Sequence, residues 1–135
     1  MNNTRFATAI HLMTLLAKHP DEWLSSEWLA GSISIHPVVV RREVGILKTS
    51  GLIECRKGKE GGCRIGKRPA DISLADIFDA VNDAEVLGKK NQNPNPRCEV
   101  GRKINGELAK LYQETNDLVR NFLKSKRLED FSKEF

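Results

Sequence analysis

The 135-residue chain has no run of roughly 18 apolar residues, the length a membrane-crossing helix needs, so no transmembrane segment is expected. Its N-terminus lacks the charged start, apolar stretch and small-residue cleavage site of a secretory signal, and the cytoplasm is the expected compartment. The three cysteines, an odd number at irregular spacing, imply no disulfide framework and suit a reducing environment. His11, His19 and His36 are scattered, and none stands at zinc-site spacing from a cysteine, so no metal site is expected. Aromatics make up 6% and hydrophobic residues 39%, which supports a modest core under a charged surface. No nucleophile-and-base or metal motif is visible, and the glycine-rich Gly58-Lys59-Glu60-Gly61-Gly62 lacks the Walker spacing. An enzyme is therefore not expected, and neither repeats nor low-complexity tracts are present.

What the chain does have is positive charge in one place. Twenty-two Lys and Arg stand against 18 Asp and Glu, for a net charge of +4. The sequence pI of about 9.1 is by itself a weak pointer to nucleic acid. The local balance says more: Arg56, Lys57, Lys59, Arg64, Lys67 and Arg68 crowd residues 54–68 beside only Glu54 and Glu60.

Periodicity gives the helices. Phe6, Ala9, Ile10, Met13, Leu16 and Ala17 recur at three- and four-residue spacing, predicting a helix over about 4–18 capped by Asn3 or Thr4. Ser25 caps a second, about 26–32, with Glu27 in its first turn and with Trp28 and Leu29 facing inward. Gly31 to Ile35 is the turn. A third helix starts at Pro37, tolerated at a first helical position, with His36 as cap. Val40, Val44 and Leu47 are its core face, and Gly51 closes it near Thr49.

Two short strands come next, Leu52 to Arg56 and Cys63 to Gly66, joined by a basic turn that Gly61-Gly62 permits. Ser73 and Asp76 open a fourth helix over about 74–83 in a capping-box pattern. From Gly88 to Cys98 the chain is polar, proline-bearing and aperiodic. A long helix then begins between Val100 and Ile104 and runs to about Ser125. Its stripe of Ile104, Leu108, Leu111, Tyr112, Thr115, Leu118, Val119 and Phe122 needs a partner to cover it, most simply a second subunit. The expected division is a DNA-binding domain over 1–84, a linker or sensor segment over 85–103, and a dimerisation helix and tail over 104–135. The fold class is mainly α with a small β-hairpin wing: a winged helix-turn-helix plus a long C-terminal helix.

That order of elements points to duplex DNA. The second helix of such a pair lies in the major groove, where its first residues meet base edges. Here those are His36, Pro37, Val38, Val39, Arg41 and Arg42. Arginine suits guanine O6 and N7 together, and Val38 and Val39 suit thymine methyls. Lys48 is placed for phosphate. Arg56, Lys57, Lys59 and Arg64 on the hairpin reach the adjacent minor groove or backbone, contacts that set affinity and register. The alternative is a winged helix used for protein–protein contact alone, against which the basic wing argues.

Thr4 to His11, Gly51-Leu52-Ile53, Gly58 to Gly62, Pro69 to Ile77 and Cys98 to Ile104 form a set of segments spread over essentially the whole chain. Together they resemble the Rrf-two family of bacterial winged-helix transcription regulators. The wing together with Pro69-x-x-Ile72-x-Leu74-x-Asp76-Ile77 is the most specific of these. His36 to Arg42 looks like a low-molecular-weight subgroup. The resemblance implies a homodimer with long helices crossing between subunits, usually a repressor, on a pseudo-palindromic operator. Many relatives hold an iron–sulfur cluster through three cysteines between the wing domain and the long helix. This chain has only Cys98 there, two per dimer against the usual four ligands, so no such cofactor is expected.

Other members sense oxidants through thiols. Cys98, beside Arg97 and near Arg102 and Lys103, is the sensor candidate, because positive charge favours the reactive thiolate. Cys55 and Cys63 lie in or beside the wing strands, where a strand pair brings them within disulfide reach or leaves them as two small sheet residues.

Overall fold

The computed structural model describes residues 4–81 and 86–135. In chain order these form α1 (Arg5–Lys18), α2 (Ser26–Ile33), α3 (Pro37–Thr49), β1 (Ile53–Arg56), β2 (Gly62–Ile65), a 3-10 turn (Pro69–Asp71), α4 (Leu74–Val81), α5 (Glu99–Lys124) and α6 (Leu128–Ser132). The winged helix-turn-helix and the long C-terminal helix are both present. The expected Asn3 cap, the last residues of the fourth helix and the boundary at 84/85 lie outside the described residues.

The core sits where α1, α3 and α4 converge. Leu12, Met13 and Leu16 of α1, Leu29 of α2, Val40 and Leu47 of α3, and Ile72 and Ile77 are fully buried together. Phe6 meets Phe78 edge-on at 5.5 Å, fastening α1 to α4.

Capping matches the residue chemistry. The Ser25 hydroxyl accepts from Trp28 N–H at 3.1 Å, and His36 Nδ1 accepts from Val38 N–H at 3.1 Å. Ser73 and Asp76 exchange bonds as a capping box does, Ser73 N–H to Asp76 Oδ2 at 2.9 Å and Asp76 N–H to Ser73 Oγ at 3.1 Å. After α3 the Gly51 N–H reaches Lys48 O and the Leu52 N–H reaches Leu47 O, with Gly51 at φ 80°. This is the left-handed glycine stop that turns the chain into the wing.

β1 and β2 pair antiparallel, Ile53 opposite Ile65 and Cys55 opposite Cys63. Leu24 adds a third, one-residue rung, exchanging both backbone bonds with Cys63 at 2.8 Å. Gly62 makes that approach possible: its φ is 143°, and a Cβ there would stand 2.6 Å from Leu24 O.

Three sequence expectations are corrected. Trp28 does not face inward. It is 46% exposed and rests edge-on against His19 at 5.3 Å, because Leu29 and Ala30 already fill the buried side of α2. The long helix begins at Glu99, so residues 99–103 are helix and not linker. The aperiodic segment before it is also tied down. Asn105 Nδ2 donates to Asn91 O at 2.7 Å, and Gly101 leaves room for the Asn95 backbone, which a Cβ would meet at 2.5 Å. Finally, the tail folds back as α6. Leu74 N–H donates to Lys126 O, Leu128 N–H donates to Ile72 O, both at 2.9 Å, and Leu128 is fully buried in the core.

Candidate nucleic-acid interface

α3 is divided cleanly. Val40, Glu43, Val44 and Leu47 are buried, while Val38, Arg41, Arg42, Gly45, Lys48 and Thr49 are exposed on the opposite side. Val38, Arg42, Gly45 and Thr49 fall at i, i+4, i+7 and i+11, so they line one straight exposed edge. His36 is exposed at the cap, and Pro37 and Val39 are half-buried.

The two arginines differ. Arg41 Nη2 bonds Glu27 Oε1 of α2 at 2.8 Å, both side chains largely exposed. The Glu27 carboxyl is held below its ordinary range by its own backbone N–H and then by Arg41. Arg42 points from the exposed edge, with Nε 3.7 Å from Glu43 Oε1. Glu43 itself is 1% exposed and takes Arg5 Nε from α1 at 3.3 Å. A buried carboxylate under α3 thus ties the helix to α1 and steers Arg42 from below.

The wing's basic residues fall into two sets. Arg56 and Arg64 both lie 4.4 Å from the centre of the Trp23 ring, a double cation–π contact that sequence reasoning missed. Arg64 also pairs with Glu54 at 3.1 Å, and Arg56 donates to the Glu60 carbonyl. Both arginines therefore brace the hairpin. Lys57 and Lys59 project from the turn, exposed and without an ion pair among the described residues. Lys67 is exposed on the segment after β2, and Arg68 is engaged by Asp71 at 2.9 Å.

Along α5 no residue is buried. Leu111, Leu118 and Phe122 are 51%, 72% and 62% exposed. Ile104, Leu108, Tyr112 and Val119 are half-covered, and Lys90 lies over the Tyr112 ring at 5.8 Å. On the inner side Arg120 clasps Asp79 of α4 at 2.9 Å, which raises the arginine above its ordinary range. The helix is anchored to α4 while Leu111, Leu118 and Phe122 of its apolar stripe stay exposed.

The cysteines do not fit an iron–sulfur centre. Cys98 is exposed at the cap position of α5, alone in its segment, and the other two thiols face each other in the wing. Among the described residues no group of three or more His, Cys, Asp or Glu is gathered to hold a metal. No helix among them is long and apolar enough to cross a membrane.

A helix-turn-helix with a hairpin wing defines a class of transcription regulators, and comparison with known proteins narrows it. Residues 2–134 match the family described as Rrf2, iron-dependent transcriptional regulator. The chain is 41% identical over 130 residues to YwnA of Bacillus subtilis (strain 168), designated an HTH-type transcriptional regulator, covering 96% of each. A crystal structure of a protein described as DNA-binding is 35% identical, with a TM-score of 0.74 over 94% of this chain and 97% of that one. CymR, the global cysteine regulator of B. subtilis, shares the fold at a TM-score of 0.73 and 20% identity, covering 100% and 98%. The chain belongs to the Rrf2 family of transcriptional regulators.

Proposed function

We propose that the chain is a homodimeric, sequence-specific DNA-binding repressor, with one α3 in the major groove of each half of a pseudo-palindromic operator. The observation that carries this reading is the exposed edge of α3 beside a lysine-tipped wing. Arg42 reads a base, with geometry suited to guanine O6 and N7. Val38 and Val39 meet thymine methyls, and His36 and Pro37 sit where the helix start approaches the groove. Arg41, held by Glu27, and Lys48 take phosphates. Lys57 and Lys59 lie on the flanking backbone, with Arg56 and Arg64 bracing them and adding field. Gly45, which has no side chain on the exposed edge, lets the duplex come close.

The open stripe of α5 supports the dimer, because half-site spacing must be fixed by a rigid two-fold link. Cys98, exposed at the base of that helix, is the proposed point where oxidation alters the spacing.

The test compares variants on operator and random DNA. Arg42→Ala is expected to cost about 1–3 kcal/mol on the operator and little on random duplex. Lys57→Ala is expected to weaken both alike and flatten the salt dependence by about one phosphate's worth. Equal losses from Arg42→Ala on the two DNAs would remove the base-reading role.

A further inference from the structure

Two thiols at the root of the wing play no part in that reading. Cys55 and Cys63 are direct partners in the β1–β2 register. Cys63 commits both backbone groups to Leu24, its N–H donating to Leu24 O and its carbonyl accepting from Leu24 N–H, each at 2.8 Å. In an antiparallel strand a residue's N–H and C=O point the same way. Neither therefore faces Cys55, and the two cysteines form a non-hydrogen-bonded pair, the arrangement in which side chains stand closest and Cα atoms are about 4.5 Å apart.

Their sulfurs are 2.9 Å apart as free thiols. A disulfide needs sulfurs at about 2.05 Å and Cα atoms at roughly 4.4–6.8 Å. Closing the bond thus takes less than an ångström of sulfur movement and no new backbone path.

We propose that Cys55 and Cys63 form a redox modification site, at which a hydroperoxide converts the dithiol to an intrasubunit disulfide across the wing. Cys55 is half-buried and is the sulfur an oxidant reaches; Cys63 is only 6% exposed. The Cys55 thiolate attacks the outer peroxide oxygen and the O–O bond breaks. Cys55 becomes a sulfenic acid, and the other oxygen takes the proton and leaves as alcohol, or as water from hydrogen peroxide. The Cys63 sulfur then attacks the Cys55 sulfur, the S–O bond breaks, and water departs with the Cys63 proton. Two thiols lose two electrons and the peroxide gains them. Burial, and then the hydrogen bond with Cys55, push the Cys63 thiol up to about 12, which makes it the poorer initiating nucleophile of the two. Cys63 therefore resolves and does not initiate.

This site acts on the placement of Lys57 and Lys59, whereas Cys98 would act on the dimer, and its chemistry does not depend on DNA binding. The experiment uses full-length Cys98→Ser protein, whose altered residue is exposed. It is treated with hydrogen peroxide, alkylated and mapped by mass spectrometry without reduction. The expected result is a cross-linked peptide joining residues 55 and 63, two hydrogens lighter than the dithiol and recovered by dithiothreitol. The site is overturned if both thiols remain alkylatable, or are oxidised singly, at peroxide levels that consume the Cys98 thiol of the unaltered protein. The same samples, titrated with DNA, are expected to differ several-fold in affinity between dithiol and disulfide; identical affinities would overturn the wing effect. Reduced protein that binds no DNA would count against the proposed function and leave the mapped disulfide standing.

Discussion

Glutamate at both Leu118 and Phe122 is expected to give a folded monomer that has lost about 100- to 10,000-fold in affinity for a two-half-site operator. The two positions are 72% and 62% exposed, so within one chain the charges fall on open surface and cost only the contact of Lys126 with the Phe122 ring. Across a two-fold interface they would instead be buried against apolar surface, where an unpaired carboxylate is not tolerated. α5 has 26 residues, about 39 Å of helix, with none buried. An amphipathic helix of that length does not keep its stripe in water without a partner. The affinity loss reflects bivalency, since a monomer forfeits the effective concentration that the second half-site supplies. Sedimentation equilibrium and fluorescence anisotropy measure the two halves of the claim. A double variant that still sediments as a dimer refutes the interface. Cutting the chain after Lys103 is the blunter way to remove the helix, and it fails as a test because it also removes Leu128 from the core.

Leu128→Ala is the second large effect. Its side chain is fully buried in the same cluster as Leu12, Leu16 and Ile72, although it lies beyond the long helix. Truncating a buried leucine to alanine costs about 2–5 kcal/mol. Against a typical total stability of about 5–15 kcal/mol this is a severe loss, and the melting temperature is expected to fall by about 10 °C or more. Thermal melts monitored by circular dichroism check it. A loss below about 1 kcal/mol would mean that the C-terminal segment is not docked in solution. α6 and the Leu128–Ile72 and Leu74–Lys126 backbone bonds tie the C-terminal end of α5 to the segment that leads into α4, so the tail is docked and not free.

The helix-turn-helix was legible because its signals are local. Pro37 and Gly51 mark the ends of α3, and Val40, Val44 and Leu47 mark its buried side. The run Val38-Val39-Val40 is strand-like by propensity, but the helical period carried through Arg41 to Thr49 overrides it. The capping box at Ser73 and Asp76 was legible for the same reason. Other features depend on distant partners. α6 has five residues, too few to show a period, and is held by the Leu128–Ile72 bond, with Lys126 just before it bonded to Leu74, rather than by its own propensity. The start of α5 was obscured because Cys98 makes no side-chain cap bond, and Pro94 and Pro96 just before it read as loop. Trp23 gave no sign of its role, since only the folded hairpin brings Arg56 and Arg64 to its ring. In the candidate site, the sequence marked the basic residues but not their division. Burial and pairing separate Arg42, Lys57 and Lys59, which face outward, from Arg56 and Arg64, which are engaged with Trp23.

The measurement that bears most directly on the whole account is an anisotropy titration of the full chain with duplex from upstream of its own gene and with random duplex, over a series of salt concentrations. The account predicts tighter binding to the upstream DNA, and on both a steep fall in affinity with salt, with a log–log slope of about −0.9 for each phosphate neutralised. Binding that ignores salt and does not distinguish the two duplexes would contradict it, and would leave the exposed edge of α3 as a surface for protein.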